Sequence, residues 1–173
     1  MKVMAFIILL ISHGIMANTA KLENLIINPV KVGQTSRMTY LFWDVYDATL
    51  YAPNGKYKAN NPFILQLDYL RDLKGEDIAQ RSIEEMKKQG YSDEAKLTLW
   101  LDSMKNIFPN VRNGSQLIGL RNSDGESLFY SGEQLLGKIE DPDFTKHFFD
   151  IWLSEKTSEP EMRKELLAIQ DRS

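Results

Sequence analysis

The stretch from Arg37 to Ala52 (RMTYLFWDVYDATLYA) limits what this chain can fold into more than any other part of it. Its β-branched and aromatic content reads as strand, and side chains on a strand alternate between two faces. One parity carries Met38, Tyr40, Phe42, Asp44, Tyr46, Ala48 and Leu50; the other carries Thr39, Leu41, Trp43, Val45, Asp47 and Thr49. Neither face is polar. Such a strand must be covered on both sides, or must bend and serve two layers. Its length exceeds that of an ordinary strand, which favours the bend. Asp44 and Asp47 stand inside the apolar run, where an unpaired carboxylate is costly. They call for a cation, backbone donors or a water-lined cleft.

The flanking elements follow from local signals. Leu25–Val32 reads as a short strand in which Pro29 favours an edge or bulge, and Gly33–Ser36 as a turn. Pro53-Asn54-Gly55 closes the aromatic segment, and Pro62–Leu70 is a further strand. Gly75–Lys88 places Ala79, Ile83 and Met86 on one helical stripe and stops at Gly90. Ser92 caps a second helix, whose Leu97, Trp100, Leu101, Met104, Ile107 and Phe108 form a stripe ended by Pro109. Asn122-Ser123-Asp124-Gly125, between Gln116–Arg121 and Ser127–Tyr130, is a hairpin signal, and Glu133–Ile139 adds a strand. Asp141-Pro142 opens a third helix, and Ser158 with Glu161 opens a fourth as a capping box. Without βαβ alternation, this order predicts an α+β fold with a mainly antiparallel sheet.

Composition narrows the function. Twenty-one Lys+Arg against 24 Asp+Glu give a net charge of −3, so no basic surplus recommends nucleic acid or an anionic membrane. The absence of cysteine removes disulfides, thiolate chemistry, zinc–cysteine sites and iron–sulfur clusters. At the start, Met1-Lys2 precede an apolar run from Val3 to Ile11, followed by small residues. That run is too short to cross roughly 30 Å of hydrocarbon, and has the length and flanks of a secretory signal. Residues 1–20 are therefore expected to be a signal peptide, cut after Ala17 or Ala20, and residues 21–173 a single domain. Export without cysteine suits the bacterial periplasm. No stable membrane insertion is expected after cleavage, because no other segment reaches the apolar length of a membrane span.

The chemistry on offer is sparse. His147 is the one histidine beyond residue 20, and it lies in the apolar stretch Phe144–Trp152, where it reads as a packing residue rather than a triad base. Glu84-Glu85 read as a solvated helix face and Asp141 with Asp143 as a helix start; no acidic spacing suits a hard cation. No glycine-rich phosphate loop is present. No metal and no cofactor are expected. Tyr40, Phe42, Trp43, Tyr46 and Tyr51 form either core or the wall of an apolar pocket.

Three segments, LFWDVYDATLYAP (Leu41–Pro53), YLRDLKGEDIAQRSIEEM (Tyr69–Met86) and FFDIWLSEKTSEP (Phe148–Pro160), resemble the bacterial branch of the chalcone isomerase-like family. The resemblance runs from about Val32 to Leu167. It implies an open-faced β-sandwich, in which helices pack over one face of a large antiparallel sheet. Plant members cyclise chalcones with an arginine upstream of the aromatic strand, a hydroxyl on that strand, and a tyrosine and an asparagine on the first helix. Others bind fatty acids, with an arginine toward the carboxylate and an apolar cleft.

Aligned with that pattern, Tyr46 falls at the strand hydroxyl, while Ile78 and Glu85 stand where the enzymes carry tyrosine and asparagine. The arginine position falls to Arg37 or to Lys31. Both helix groups of the enzyme site are thus replaced. The resemblance implies a non-enzymatic binder of a small hydrophobic or amphipathic ligand, such as a fatty acid, with Arg37, Asp44, Tyr46, Asp47, Ile78 and Glu85 as candidate ligand contacts. An isomerase or intramolecular lyase, and a partner-binding protein without a small ligand, are the alternatives. Arg37 and Tyr46 have opposite parity, so they share a cleft only if the segment between them bends or turns.

Overall fold

The computed structural model describes residues 22–170, and the expected signal peptide lies outside them. Among the described residues, seven strands build one antiparallel sheet: β1 (Pro29–Lys31), β2 (Ser36–Tyr40), β3 (Trp43–Pro53), β4 (Phe63–Tyr69), β5 (Gln116–Arg121), β6 (Ser127–Ser131) and β7 (Gln134–Ile139). The order across the sheet is β1-β3-β4-β5-β6-β7. β2 pairs with the first part of β3 and β1 with its end. Among the described residues four named helices accompany the sheet: α1 (Gly75–Lys88), α2 (Glu94–Ile107), α3 (Pro142–Leu153) and α4 (Pro160–Leu167). This is the expected α+β open-faced arrangement.

The aromatic segment is a hairpin and not one bent strand. Tyr40 pairs with Trp43, leaving only Leu41 and Phe42 to make the turn. The Phe42 N–H donates to the Tyr40 carbonyl at 2.9 Å, and Leu41 takes φ +55°. Sequence reasoning misses this turn because it contains none of the residues that favour positive φ or set φ in advance. The hairpin also explains the apolar character of both parities. On β3, Ala48, Leu50 and Ala52 are fully buried beneath the helices, whereas the apolar residues at the tip face solvent.

Strand and helix meet in an aromatic core. Phe63 packs edge-on against Phe149, with centroids 4.8 Å apart, and Phe129 against Phe148 at 5.1 Å. His147 lies against Tyr91 at 4.4 Å, in keeping with a packing role. On the reverse face of the sheet, Leu22 and Ile26 cover Ile64, Ile118 and Leu120.

Two helix starts differ from the sequence expectation. Asp93, rather than Ser92, caps α2 by accepting from the Lys96 N–H at 3.0 Å. Ser158 makes no cap for α4; its hydroxyl donates instead to Glu85 at 2.7 Å. A buried carboxylate needs that donor more than a solvated helix end does. Asp141 caps α3 with Pro142 as its first residue, as expected. α4 comes so close to the chain before β2 that a Cβ on Gly33 would lie 2.0 Å from the Glu165 carbonyl oxygen. The neighbouring Gln34 N–H donates to that same oxygen at 2.8 Å.

Candidate ligand cavity

A cavity of about 370 Å³ lies between the helix-facing side of the sheet and helices α1 and α3. Leu65, Leu67 and Leu117 form its floor, Ile78 a wall from α1, and Phe148 and Trp152 a wall from α3. Alternation along β4 and β5 aims these leucines at the helices, and Gly119 leaves room there for the Phe149 ring. The size is that of a small-molecule site, and the lining is mostly apolar with a few polar groups.

Those polar groups divide into saturated and available ones. Glu85 is buried, and both of its oxygens are engaged: Arg81 at 2.7 Å and Lys88 at 2.9 Å reach Oε1, and the Ser158 hydroxyl reaches Oε2. Burial alone would raise its pKa. The hydrogen bonds from Ser158 and Lys88 and the charge of Arg81 outweigh that and hold it below the usual carboxylate value. Glu84 beside it is exposed, so only half of the expected solvated pair faces water.

Tyr46 accepts a hydrogen bond from the Trp152 indole N–H at 3.0 Å and meets Tyr69 edge-on at 5.8 Å. Desolvation pushes both phenols well above their ordinary pKa. At neutral pH they are therefore hydrogen-bond donors, not bases.

Arg71 stands at the cavity just past the end of β4. Its guanidinium lies 5.4 Å from the centre of the Trp43 ring, and its Nε is buried with no acceptor. Among the described residues no carboxylate pairs with it. Arg81, also at the cavity, is neutralised by Glu85.

The residues singled out from sequence separate into two groups. Tyr46, Ile78 and Glu85 all line the cavity. Arg37, Asp44 and Asp47 sit together on the opposite face of the β2–β3 hairpin. Arg37 Nε donates to Asp47 at 2.7 Å, and Nη1 donates to Asp44 at 3.0 Å. A bulge at Met38/Thr39 adds a residue to β3, which brings Asp44 onto the same face as Asp47. Lys31 is exposed on β1, opposite Tyr51. The two acids thus receive their cation, and that cation faces away from Tyr46.

Sequence reasoning missed Arg71, Trp152 and Tyr69 as cavity residues. Arg71 carried one legible signal: a lone cation directly after a strand, with no carboxylate on that strand's cavity-facing parity.

An open antiparallel sheet whose helix layer leaves an apolar cavity against the strands defines the class of fold to which this chain belongs. The profile of the chalcone isomerase-like family matches residues 19–168, and the chain belongs to that family. Among solved structures it is similar to a fatty-acid binding protein of Arabidopsis thaliana, with a TM-score of 0.63 at 13% identity, covering 82% of this chain and 88% of that one. At that identity the likeness is one of fold. No curated protein matches the sequence significantly.

Proposed function

We propose that this protein binds a small hydrophobic or amphipathic ligand with an acidic head, a fatty acid being the type case, and performs no chemistry on it. Arg71 carries the reading: a guanidinium at an apolar cavity, without an acid partner and with one N–H buried and unsatisfied. A buried donor left unpaired is costly, and a carboxylate is the acceptor a guanidinium fits best. The Tyr46 and Tyr69 hydroxyls are further donors for such a head, and the leucine and phenylalanine walls suit an alkyl chain. The fold it shares with a plant fatty-acid binding protein supports the same reading.

An isomerase has less support. Ile78 offers no hydroxyl, Glu85 is already saturated, and neither tyrosine is acidic enough to act as a base. We also propose that the protein acts in the bacterial periplasm after loss of residues 1–20, which the Val3–Ile11 run and the absence of cysteine support.

Titration with a fluorescent fatty acid and with the matching fatty alcohol tests the function. The acid is expected to bind more tightly, and Arg71→Gln to remove about a tenfold or larger preference, the worth of a charge-assisted pair. Equal binding of acid and alcohol by the unaltered protein, or binding of neither, overturns the reading.

A further inference from the structure

We propose that the tip of the β2–β3 hairpin, Tyr40-Leu41-Phe42-Trp43, docks the protein on the interface of a lipid bilayer, beside the mouth of the ligand cavity. The inference extends the ligand-binding reading by naming the surface with which the ligand is exchanged. Four consecutive large apolar side chains project from a two-residue turn, with exposures of 54%, 70%, 97% and 64%. Apolar patches held together in this way mark interaction sites on a water-soluble surface. The composition is that of a membrane interface, with Tyr and Trp supplying rings with polar edges around an apolar Leu-Phe apex.

Continuity with the cavity is the second observation. Tyr40 belongs both to the tip and to the cavity lining. Behind the rings stand two guanidinium groups, Arg71 at 5.4 Å from Trp43 and Arg81 at 5.8 Å from Tyr40. With the apex among acyl chains, Arg71 comes to lie at headgroup depth as an unpaired cation that phosphate oxygens complement, whereas Arg81 is already neutralised by Glu85. The Arg37, Asp44 and Asp47 cluster begins directly behind the tip, where Asp44 follows Trp43, and is hydrogen-bonded internally.

Area argues against a second protein as the occupant. At roughly 150–250 Å² per large ring, the four partly exposed side chains offer about 600 Å² if fully covered, short of the ~800 Å² each partner gives to a stable interface. A narrow apex that inserts between lipids is under no such requirement.

The native tryptophans supply the readout, because Trp43 is exposed whereas Trp100 and Trp152 are buried. The full chain and its Phe42→Asp variant are mixed with vesicles of phosphatidylethanolamine and phosphatidylglycerol, with and without brominated acyl chains. The apolar run Val3–Ile11 is common to both proteins, so the difference between them reports the tip. The unaltered protein is expected to show a blue shift of Trp43 emission and quenching by the brominated chains. Phe42→Asp should lower its vesicle-bound fraction about tenfold or more. Phe42 does not line the cavity, so fatty-acid binding in solution should be unchanged in this variant. Trp43 emission indifferent to vesicles overturns the docking proposal, as does concentration-dependent self-association that Phe42→Asp abolishes. Quenching by vesicles in a protein that binds no fatty acid upholds the docking surface and removes the ligand reading.

Discussion

Glu85 and Arg71 line the same cavity, yet they have opposite electrostatic situations. Glu85 is surrounded by donors, and its carboxyl is held below its ordinary value near 4.5. A group depressed in the folded state contributes stability above its unfolded pKa and loses it as pH falls through the folded one. Glu85→Gln should therefore lower stability by about 1.5–3 kcal/mol at neutral pH, the range for hydrogen bonds to a charged group. The difference from the unaltered protein should fade once the pH drops below about 4.5. Urea unfolding of both proteins across pH 3–7, on the order of the carboxyl range, measures it; a difference that persists at the acid end would mean that packing, not charge, is what Glu85 supplies. Arg81 and Lys88 were legible as helical neighbours at i−4 and i+3. The burial of Glu85 was not, because it depends on Ser158, 73 residues along the chain.

Among the elements, those with local signals were the legible ones. The stripes of α1 and α2, the Asp141-Pro142 start of α3 and the hairpin that turns at Gly125 all rest on residues within a few positions of one another. The β2–β3 hairpin was illegible for a physical reason: its turn is made by Leu41 at positive φ, a conformation that costs an L-residue roughly 1–2 kcal/mol. Because Leu41 is 70% exposed, little burial offsets that cost. Leu41→Gly should relieve the strain, at an entropic cost of about 0.5–1 kcal/mol, for a net gain of up to about 1.5 kcal/mol in urea unfolding. A loss of stability would mean that the Leu41 side chain holds the turn through contacts of its own. A leucine where glycine is expected to be more stable fits a tip whose side chains act outside the fold.

For the whole molecule, the consequence of the cavity's position is that a ligand bound there would share one interface with the fold. The helix layer reaches the sheet partly through the Phe129–Phe148 and Phe63–Phe149 contacts and partly across the cavity, so an occupant would bridge both layers. A ligand that binds only the folded state adds about 2.7 kcal/mol when present at 100 times its dissociation constant. For a protein of this size each kcal/mol moves the melting temperature by roughly 2–4 °C. A fatty acid at that excess should therefore raise it by about 5–10 °C. Ile78→Trp places an indole where α1 walls the cavity and should abolish the shift while leaving the protein folded. The same rise in Ile78→Trp as in the unaltered protein would locate the binding elsewhere. No rise in either, at concentrations where the fluorescent probe saturates, would mean that the ligand binds the unfolded chain as well as the fold.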